Sequence, residues 1–481
     1  MTKHLDIDTQ AMRAKILDLA IQGKLTDQRE EDGNARDLLK EIQAEKEKLI
    51  KKKKIKKEKP LPEITEEEKP FEIPKNWMWA RWGTLSISIK YGYNTSAQKD
   101  GKIKMVRISD IQNNQVNWDS VPFCNIPKEE ITQYLLRKND ILFARTGGTV
   151  GKSYLVSEVP ENVVYAGYLI RTRYSENLSP QYLKYFMESD LYWSQLKKGT
   201  TTTAQPNCNA KTLGKMVLPL PPLAEQKRIA DKVSALFAQL DAVDKAYEEY
   251  RELQQNMKTK LLDLAIQGKL TDQRAEDGNA RDLLKEIQAE KEKLIKEKQI
   301  KKEKPLPEIT EEEKTFDIPE NWMWVRLGEM ILNHIGGGTP DKSNEAYWNG
   351  DIPWMSVKDV HQDSMYADRT IDSITPAGLE NSSSNLIEAN RLIVVMRMAV
   401  GRAVINKLPV AINQDLRALF FRDNVTQEYI LRIFKILKFE TSGMTVKGIK
   451  LWVLLNTPIP LPPLAEQKRI VAKLDELLPL L

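Results

Sequence analysis

Internal repetition constrains the fold of this chain more than any other feature of its sequence. Segment 15–81 returns almost letter for letter as segment 260–326, and about 60 of 71 positions are identical in a slightly wider alignment. A second repeat, LPLPPLAEQKRI at 218–229, returns as IPLPPLAEQKRI at 459–470. Such long units, present only twice, are too few for a solenoid. The pattern therefore predicts a duplicated two-domain arrangement.

Two variable segments, 83–217 and 328–458, lie between the repeats and show little identity to each other. Near-identical parts can present one surface twice, to two copies of a partner, while divergent parts are free to bind two different targets. The alternative is a recent duplication without functional symmetry. That alternative leaves unexplained why divergence stops sharply at both edges of each variable segment.

Composition leaves room for several cores and gives only weak clues to function. A length of 481 residues with 41% hydrophobic content suggests about three domains of ~150 residues. No apolar run reaches the ~18 to 20 residues of a membrane span, and the first residues lack the apolar core of a secretory signal, so we expect a cytoplasmic protein. Two cysteines and three scattered histidines do not indicate a disulfide framework or a metal site. The net charge of +5 points weakly to nucleic acid, because 73 basic residues face 68 acidic ones.

The stretch ARTGGTVGKSYLV, 144–156, superficially resembles a phosphate-binding loop. Such a loop needs a glycine five positions before its GK[ST] and a helix directly after it. Thr146 occupies the glycine position, and the β-branched and aromatic residues that follow predict strands. The stretch is therefore not expected to bind a nucleotide.

The common segments predict a long helix with an apolar seam. Spacings of four and three residues repeat without a break from 229 to 264, which predicts a left-handed coiled coil. The C-terminal tail repeats the first half of this seam, and the N-terminus repeats the second half at Met12, Ile16 and Leu19, so we expect both to pack along the central helix. The alternative is that each helix packs only on its own domain. The principal seam residues are Ile229, Val233, Leu236, Leu240, Val243, Tyr247, Met257, Leu261, Leu264, Ile470, Leu474 and Leu477.

The charge-rich segment 41–69 and its copy from 286 read as a solvated helix and a linker. Their lysine runs could instead touch phosphates, although glutamates follow at once in both copies.

Each variable segment opens with a tryptophan-rich strand and later contains a basic hairpin. The tryptophans are interpreted as core anchors rather than base-stacking platforms. In NDILFARTGGTVGKSYLV and NRLIVVMRMAVGRAVI, an apolar strand leads through an arginine and a turn to a second basic residue. Arg145 with Lys152 parallels Arg397 with Arg402. Such turns can place guanidinium groups against phosphates or guanine edges, although ordinary hairpins with solvated charges explain the pattern equally well.

No catalytic motif competes with this interpretation. The sequence contains no adenine-methyltransferase [DNS]PP[YFW] tetrapeptide, helicase signature, nucleophile elbow or HExxH motif. The chain is therefore predicted to bind rather than to catalyse.

These residues resemble the specificity subunits of type I restriction-modification systems. The resemblance is carried by PLPPLAEQKRI at 219–229 and 460–470, GGGTPDKSNEAYWNGDIPWMS at 336–356 and NDILFARTGGTVGKSYLV at 139–156, and it extends over essentially the whole chain. It implies an α+β fold in which two α/β target-recognition domains are separated by long conserved helices that form an antiparallel coiled coil with pseudo-two-fold symmetry.

The resemblance also implies a division of the chain and of the work. The expected parts are an N-terminal helical segment and linker (1–70), recognition domain 1 (71–222), a central helix and linker (223–315), recognition domain 2 (316–463) and a C-terminal helix (464–481). Each recognition domain would read half of a bipartite, asymmetric target in double-stranded DNA. The helices would dock two methyltransferase subunits, which restriction subunits join. S-adenosylmethionine, ATP and magnesium are expected on those partners, with no cofactor in this chain.

The expected DNA contacts follow from the same resemblance and are listed here. In the first domain they are Arg107, Arg145, Gly148, Lys152 and Arg171; in the second they are Thr339, Lys342, Lys358, Arg397, Arg402 and Lys447. The rival interpretation is a coiled-coil scaffold with two adapter domains and no role on DNA.

Overall fold

The computed structural model describes residues 7–199, 207–362, 364–437, 439, 441 and 447–481. The described chain divides into two compact units. The N-terminal unit ends at Tyr247, and the C-terminal unit begins at Glu248. Each unit contains one copy of the long repeat, one variable segment and one copy of the PLPPLAEQKRI motif. The division into five parts along the chain stays a prediction.

The N-terminal unit combines short helices with small sheets. Its helices are α1 (Thr9–Ile21), α2 (Ala35–Lys51), α3 (Trp82–Leu85), α4 (Lys128–Tyr134), α5 (Pro180–Phe186), α6 (Asp190–Gly199) and α7 (Ala210–Lys215). Its strands are β1 (Met78–Arg81), β2 (Ser86–Tyr91), β3 (Ile103–Val106), β4 (Ile111–Gln112), β5 (Gln115–Val116), β6 (Phe123–Cys124), β7 (Ile141–Ala144), β8 (Ser153–Leu155), β9 (Val163–Tyr165), β10 (Leu169–Tyr174) and β11 (Val217–Leu220).

One long helix, α8 (Leu223–Ile266), contains the point at which the chain divides. The remaining helices belong to the C-terminal unit: α9 (Ala280–Lys296), α10 (Leu327–Met330), α11 (Pro376–Glu380), α12 (Asn424–Phe434), α13 (Leu451–Asn456) and α14 (Leu464–Leu477). Its strands are β12 (Met323–Arg326), β13 (Asn333–Gly336), β14 (Trp348–Met355), β15 (Tyr366–Ala367), β16 (Asp372–Ile374), β17 (Asn385–Ile387), β18 (Leu392–Val395), β19 (Ala403–Asn406), β20 (Val410–Ile412), β21 (Leu416–Phe420) and β22 (Pro458–Leu461).

The two variable segments fold into domains of the same topology, which we call the first and second variable domains. In the first, an antiparallel sheet has the strand order β2-β10-β7-β8 and a second sheet has the order β6-β3-β9. In the second, the matching orders are β13-β21-β18-β19, extended by β15, and β16-β14-β20, extended by β17. Both second sheets contain one parallel pair, β3 with β9 and β14 with β20. The predicted α+β class with two related domains is confirmed.

The common segments contact each other within each unit. Glu225 of the PLPPLAEQKRI motif is fully buried and accepts hydrogen bonds from Trp77 Nε1 at 2.7 Å and Gln28 Nε2 at 2.6 Å. Glu466 repeats this arrangement and accepts from Trp322 Nε1 at 2.7 Å. A buried carboxylate must find such donors, since leaving it unpaired is costly. Burial still raises the pKa of Glu225 above its ordinary value.

A second contact joins the same segments. Arg228 donates to both carboxylate oxygens of Asp32, at 2.5 and 2.6 Å, and Arg469 pairs with Asp277 in the C-terminal unit at 2.7 and 2.5 Å. Bidentate guanidinium–carboxylate pairs fix geometry as well as adding energy. Each unit therefore joins its copy of the long repeat to its copy of the PLPPLAEQKRI motif by an ion pair.

The linker before each variable domain is held by one arginine. Arg81 is 4% exposed in its side chain, and all five of its N–H groups are used. It donates to both oxygens of Glu68 at 2.9 and 2.8 Å and to the carbonyls of Pro62, Glu63 and Lys215 at 2.7, 2.8 and 2.6 Å. Arg81 thus joins the linker to the end of α7 in the variable domain.

Three of the five tryptophans that precede the variable domains are core residues, as predicted, whereas Trp79 and Trp324 are half-buried. Trp77, Trp82 and Trp322 are 4%, 2% and 3% exposed. The indole of Trp82 donates to Thr172 Oγ1 at 3.2 Å. A buried indole N–H usually has such a hydrogen-bond partner. These three rings are buried, so they are not available to stack on bases.

The long helix is confirmed, but part of its seam is internal. Ile229, Val233, Ile470 and Leu474 are fully buried in the hydrophobic cores of their own units. Their assignment to partner binding is therefore corrected, because a side chain with no exposed surface cannot contact another subunit. Sequence periodicity alone could not make this distinction, because a core-facing stripe and a docking stripe have the same spacing.

Other seam residues keep exposed surface. Leu236, Leu240, Leu261, Leu264 and Leu477 are half-buried. Val243, Tyr247 and Met257 are exposed by 37%, 42% and 53%.

Both chain ends contact α8 within their own units. In the N-terminal unit, Arg13 of α1 donates to Asp241 and Asp244 at 2.7 and 3.0 Å. In the C-terminal unit, Gln254 of α8 donates to the backbone oxygen of Leu481. Within the described residues, every helix is too short or too polar to cross a membrane.

Candidate nucleic-acid interface

The turn between β7 and β8 is the feature that first resembled a phosphate-binding loop. Its glycine-rich part, Gly147–Thr149, forms a single 3-10 turn and leads into β8, not into a helix. Gly147 has a φ of +74°, a region that favours glycine. Gly148 is exposed and has open space around its Cα. The predicted hairpin is confirmed, and its tip lets another molecule approach the backbone closely.

Arg145 lies at the base of this turn and is held in place by an aromatic ring. Its guanidinium carbon is 4.7 Å from the centre of the Tyr91 ring, and its backbone N–H donates to the carbonyl of Tyr168 at 3.1 Å. Tyr91 and Tyr168 are 40% and 63% exposed, and Lys152 at the other end of the turn is exposed. The arrangement brings two cations and two exposed aromatic rings to the same end of the sheet.

The other two basic candidates in this domain have internal partners. Arg107 donates from Nε and a terminal nitrogen to Asp110 at 3.0 and 2.7 Å, and this carboxylate raises the pKa of Arg107. Its side chain remains 42% exposed, so it can still contact a ligand.

Arg171 is placed differently, and its assignment as a DNA contact is corrected. It is 1% exposed and donates to the carbonyls of Leu135 and Gln133 at 2.8 and 3.2 Å. Its guanidinium lies 5.1 Å from the centre of the Tyr165 ring. An arginine in the middle of a short strand looks the same in sequence whether it points inward or outward, so only the fold reveals its structural role.

The second variable domain gathers three of its candidates around one cleft. Thr339, Lys342 and Lys358 line a cleft of about 410 Å³ together with Met398 and Asp415. Both lysines are exposed, and Thr339 donates to the side chain of Gln414. The cleft combines two exposed lysines with two aspartates, Asp372 and Asp415, and with neutral hydrogen-bonding groups.

The remaining three candidates lie on or beside the β18–β19 turn. Arg397 is 52% exposed and its Nε lies 3.2 Å from Asp415 Oδ1. Arg402 is half-buried and donates to the side chain of Gln362 at 3.2 Å. Lys447 is exposed, and its carbonyl accepts a hydrogen bond from Met398 N–H at 2.9 Å.

The strand registers correct one parallel that the sequence suggested. Ala144 and Val395 each pair with the first residue of the neighbouring strand, β10 or β21. The next residues, Arg145 and Met396, therefore correspond, and Arg397 lies one position further along. A difference of one residue changes the position in an extended strand, so Arg145 and Arg397 do not occupy matching positions of their hairpins.

Four residues of this interface were not among the sequence candidates: Tyr91, Tyr168, Asp415 and Met398. Tyr168 and Asp415 occupy corresponding positions, each directly before the first residue of its strand. Tyr91, Tyr168 and Asp415 lie outside the hairpin stretches, and none of the four carries the positive charge that identifies a candidate DNA contact in sequence. Strand pairing brings Tyr91 and Tyr168 beside Arg145 and Asp415 beside Arg397, whereas Met398 directly follows Arg397 in the chain.

Comparison with known proteins identifies the family. A family model described as the type I restriction modification DNA specificity domain matches residues 89–249 and 319–479, more than half of the chain. The type I restriction enzyme EcoEI specificity subunit of Escherichia coli is 28% identical over 97% of this chain and 88% of its own length. The EcoAI specificity subunit of Escherichia coli has the same identity and coverage.

A solved structure supports the fold. A chain from a study of the complex assembly and conformational transition of the type I R-M system shares 23% identity, with a TM-score of 0.53 over 85% of this chain and 91% of that chain. At this identity the likeness concerns the fold alone. The two matches of the family model, one in each unit, show that the chain belongs to the type I restriction-modification DNA specificity family.

Proposed function

We propose that this chain is the DNA-recognition subunit of a type I restriction-modification complex and that each variable domain reads one half of a bipartite target. The observation that carries the proposal is a hairpin turn of the same topology in both domains with different side chains at matching positions. A shared backbone gives both domains one way of approaching DNA. Different side chains give them different base preferences, so the target is asymmetric.

The chemistry of the two turns supports base reading. In the first variable domain, Arg145 rests on Tyr91; in the second, Arg397 pairs with Asp415 through Nε. Holding an arginine by its ring contact or its Nε leaves terminal N–H groups for a guanine edge, where two parallel hydrogen bonds discriminate between bases. Fixing the side chain before binding also lowers the entropy lost on association.

The exposed lysines fit a different task. Lys152, Lys342, Lys358 and Lys447 are exposed, and no hydrogen bond from their side chains to a described residue is present. Flexible ammonium groups suit phosphates, which position the protein without reading sequence. Binding should therefore weaken steeply as salt rises.

Partner subunits complete the proposed complex. Exposed apolar side chains on α8 include Val243 in the N-terminal unit and Tyr250, Leu253 and Met257 in the C-terminal unit, exposed by 37%, 48%, 61% and 53%. Exposed apolar side chains spaced by three, four or seven residues lie along one face of a helix. Such a face suits docking to another protein. We assign this role to two methyltransferase subunits, which would carry S-adenosylmethionine, while restriction subunits would use ATP and magnesium.

The deciding experiment is an exchange of variable segments in the assembled complex. The chain is co-expressed with its methyltransferase subunit in a host without adenine methylation, and N6-methyladenine is mapped by long-read sequencing. We expect one bipartite, asymmetric motif. Replacing 83–217 by the segment of a related subunit should change one half only, and the matched exchange of 328–458 should change the other half.

The rival function is a coiled-coil scaffold without a role on DNA. It predicts no salt-dependent DNA affinity and the same methylation with or without this chain. Methylation that ignores both exchanges, or a stable complex that methylates nothing, would favour the scaffold.

A further inference from the structure

We propose that Met398 contacts a base of the half-site read by the second variable domain and that its target is the C5-methyl group of a thymine. This inference rests on the proposed function. It assigns sequence discrimination to an apolar side chain at the tip of the hairpin turn, in addition to the arginines beside it.

The backbone at Met398 is strained. Its φ is +70°, in the left-handed region that disfavours every residue with a Cβ. The other described non-glycine residues with such a φ are six asparagines and the lysines Lys53 and Lys298. Within the described residues, Met398 is thus the sole apolar side chain held in this conformation.

The first variable domain shows what the backbone alone requires. The isolated bridge after β7 involves Thr146 and the one after β18 involves Arg397, so the following residues, Gly147 and Met398, correspond. Gly147 has nearly the same φ, +74°. A glycine therefore satisfies this turn without strain, and the turn's geometry does not call for a methionine.

Packing does not explain the methionine either. Its side chain is 59% exposed, so little of the strain is offset by burial. The backbone is nevertheless fixed: Met398 N–H donates to Lys447 O and Ala399 N–H donates to Arg397 O, both at 2.9 Å. Strained residues that the surrounding structure holds in place are concentrated at functional sites. The thioether is thus presented to solvent from a rigid base.

The surroundings identify the ligand. Met398 lines the cleft with Lys342 and Lys358, and Arg397 directly precedes it in the chain. The cleft also contains Asp372 and Asp415, of which Asp415 is paired with Arg397. Because Asp415 is paired with Arg397, two exposed lysines face one remaining aspartate, and these cations beside an exposed apolar tip fit a polyanion with an apolar group in its interior. In the major groove of DNA that group is the thymine methyl.

Uracil scanning of the half-site tests the proposal. The complex of the full chain with its methyltransferase subunit is titrated with duplexes in which each thymine of the half-site is replaced in turn by deoxyuridine, which lacks only the methyl group. Burial of one methyl group corresponds to about a fourfold change in affinity. We expect about this loss at one position for the wild-type complex.

The variant Met398→Gly should lose that discrimination, because it has no side chain to bury against the methyl group. It should bind the thymine duplex about fourfold more weakly than the wild-type complex does and be insensitive to uracil at the critical position. Its melting temperature should not fall, since glycine suits a φ of +70°. The matched control is Leu386→Ala, another exposed apolar residue of this unit (51% exposed), which should behave as the wild type.

Two results would overturn the inference while leaving the proposed function intact. One is a normal motif in which no thymine position distinguishes the wild type from Met398→Gly. The other is a half-site that contains no thymine on either strand. Absence of any sequence preference in the wild-type complex would instead refute the proposed function, and this inference with it.

Discussion

Replacing Arg81 by methionine should destabilise the N-terminal unit by about 3–5 kcal/mol, because it removes five hydrogen bonds at once. The arginine makes five hydrogen bonds, three of them to backbone carbonyls. The three carbonyls belong to exposed residues, so water can replace the lost donor and each bond contributes about 0.5–1.5 kcal/mol. Glu68 is 36% exposed in its side chain, so water can replace part of its pairing with Arg81. The destabilisation should therefore lie in the lower part of the range that five such hydrogen bonds give together.

Hydrogen exchange followed by mass spectrometry measures this effect within a single molecule. Amides of 62–82 should exchange about a hundredfold faster or more in Arg81→Met, because local opening becomes easier by several kcal/mol. The corresponding amides of 307–327 should not change, since Arg326 makes the same set of contacts there. The two segments differ at several residues and can be told apart by mass.

The conservative variant Arg81→Lys tests the cause. Lysine keeps the charge but lacks the planar fork, so it can hold Glu68 and loses most of the carbonyl contacts. We expect intermediate exchange. If Arg81→Lys matched the wild type, the explanation from five directed hydrogen bonds would be wrong. Unchanged exchange in Arg81→Met would refute the reasoning altogether.

Three further predictions concern DNA binding and pH. Arg145→Ala should weaken DNA binding about tenfold or more and relax the preference at one base pair. Lys152→Ala should weaken binding to all sequences alike and reduce the slope of log affinity against log salt concentration by about one. Equal losses on all sequences for both variants would exclude base reading by Arg145. Hydrogen bonding to Arg228 lowers the pKa of Asp32 from its ordinary 3.8, so this pair's stabilisation is present above that pH and is lost as pH falls through the folded-state pKa. Urea midpoints of Asp32→Asn should therefore fall less than those of the wild type below pH 4, and parallel curves would contradict the assignment. Burial raises the pKa of Glu225 from 4.5, so its contribution is present below that pH and is lost as pH rises through the folded-state value; Glu225→Gln should flatten the profile above pH 4.5, and an unchanged slope there would count against the shift.

The variable domains show how far sequence comparison reaches. They share a topology without obvious sequence identity, because a sheet requires alternating apolar side chains and suitable turns, not particular residues. The hairpin was predicted from its apolar strand and glycine-rich turn. The sequence paired Arg145 with Arg397 of the second domain. The strand registers instead align Arg145 with Met396, one residue earlier. A shift of one residue moves a side chain to the other face, and only strand pairing fixes it.

The sequence by itself determined the duplication, the long helix, the core role of three tryptophans and the family, because these depend on repeated letters, periodic spacing and local motifs. The tertiary structure decided which of the candidates have exposed surface. It placed Arg171 among backbone carbonyls and Ile229 in a core, and it brought Tyr91 and Asp415 to the two arginines from distant parts of the chain. Exposure and side-chain partners depend on contacts between residues far apart in sequence. Local patterns carry no information about those contacts, so the fold had to supply it.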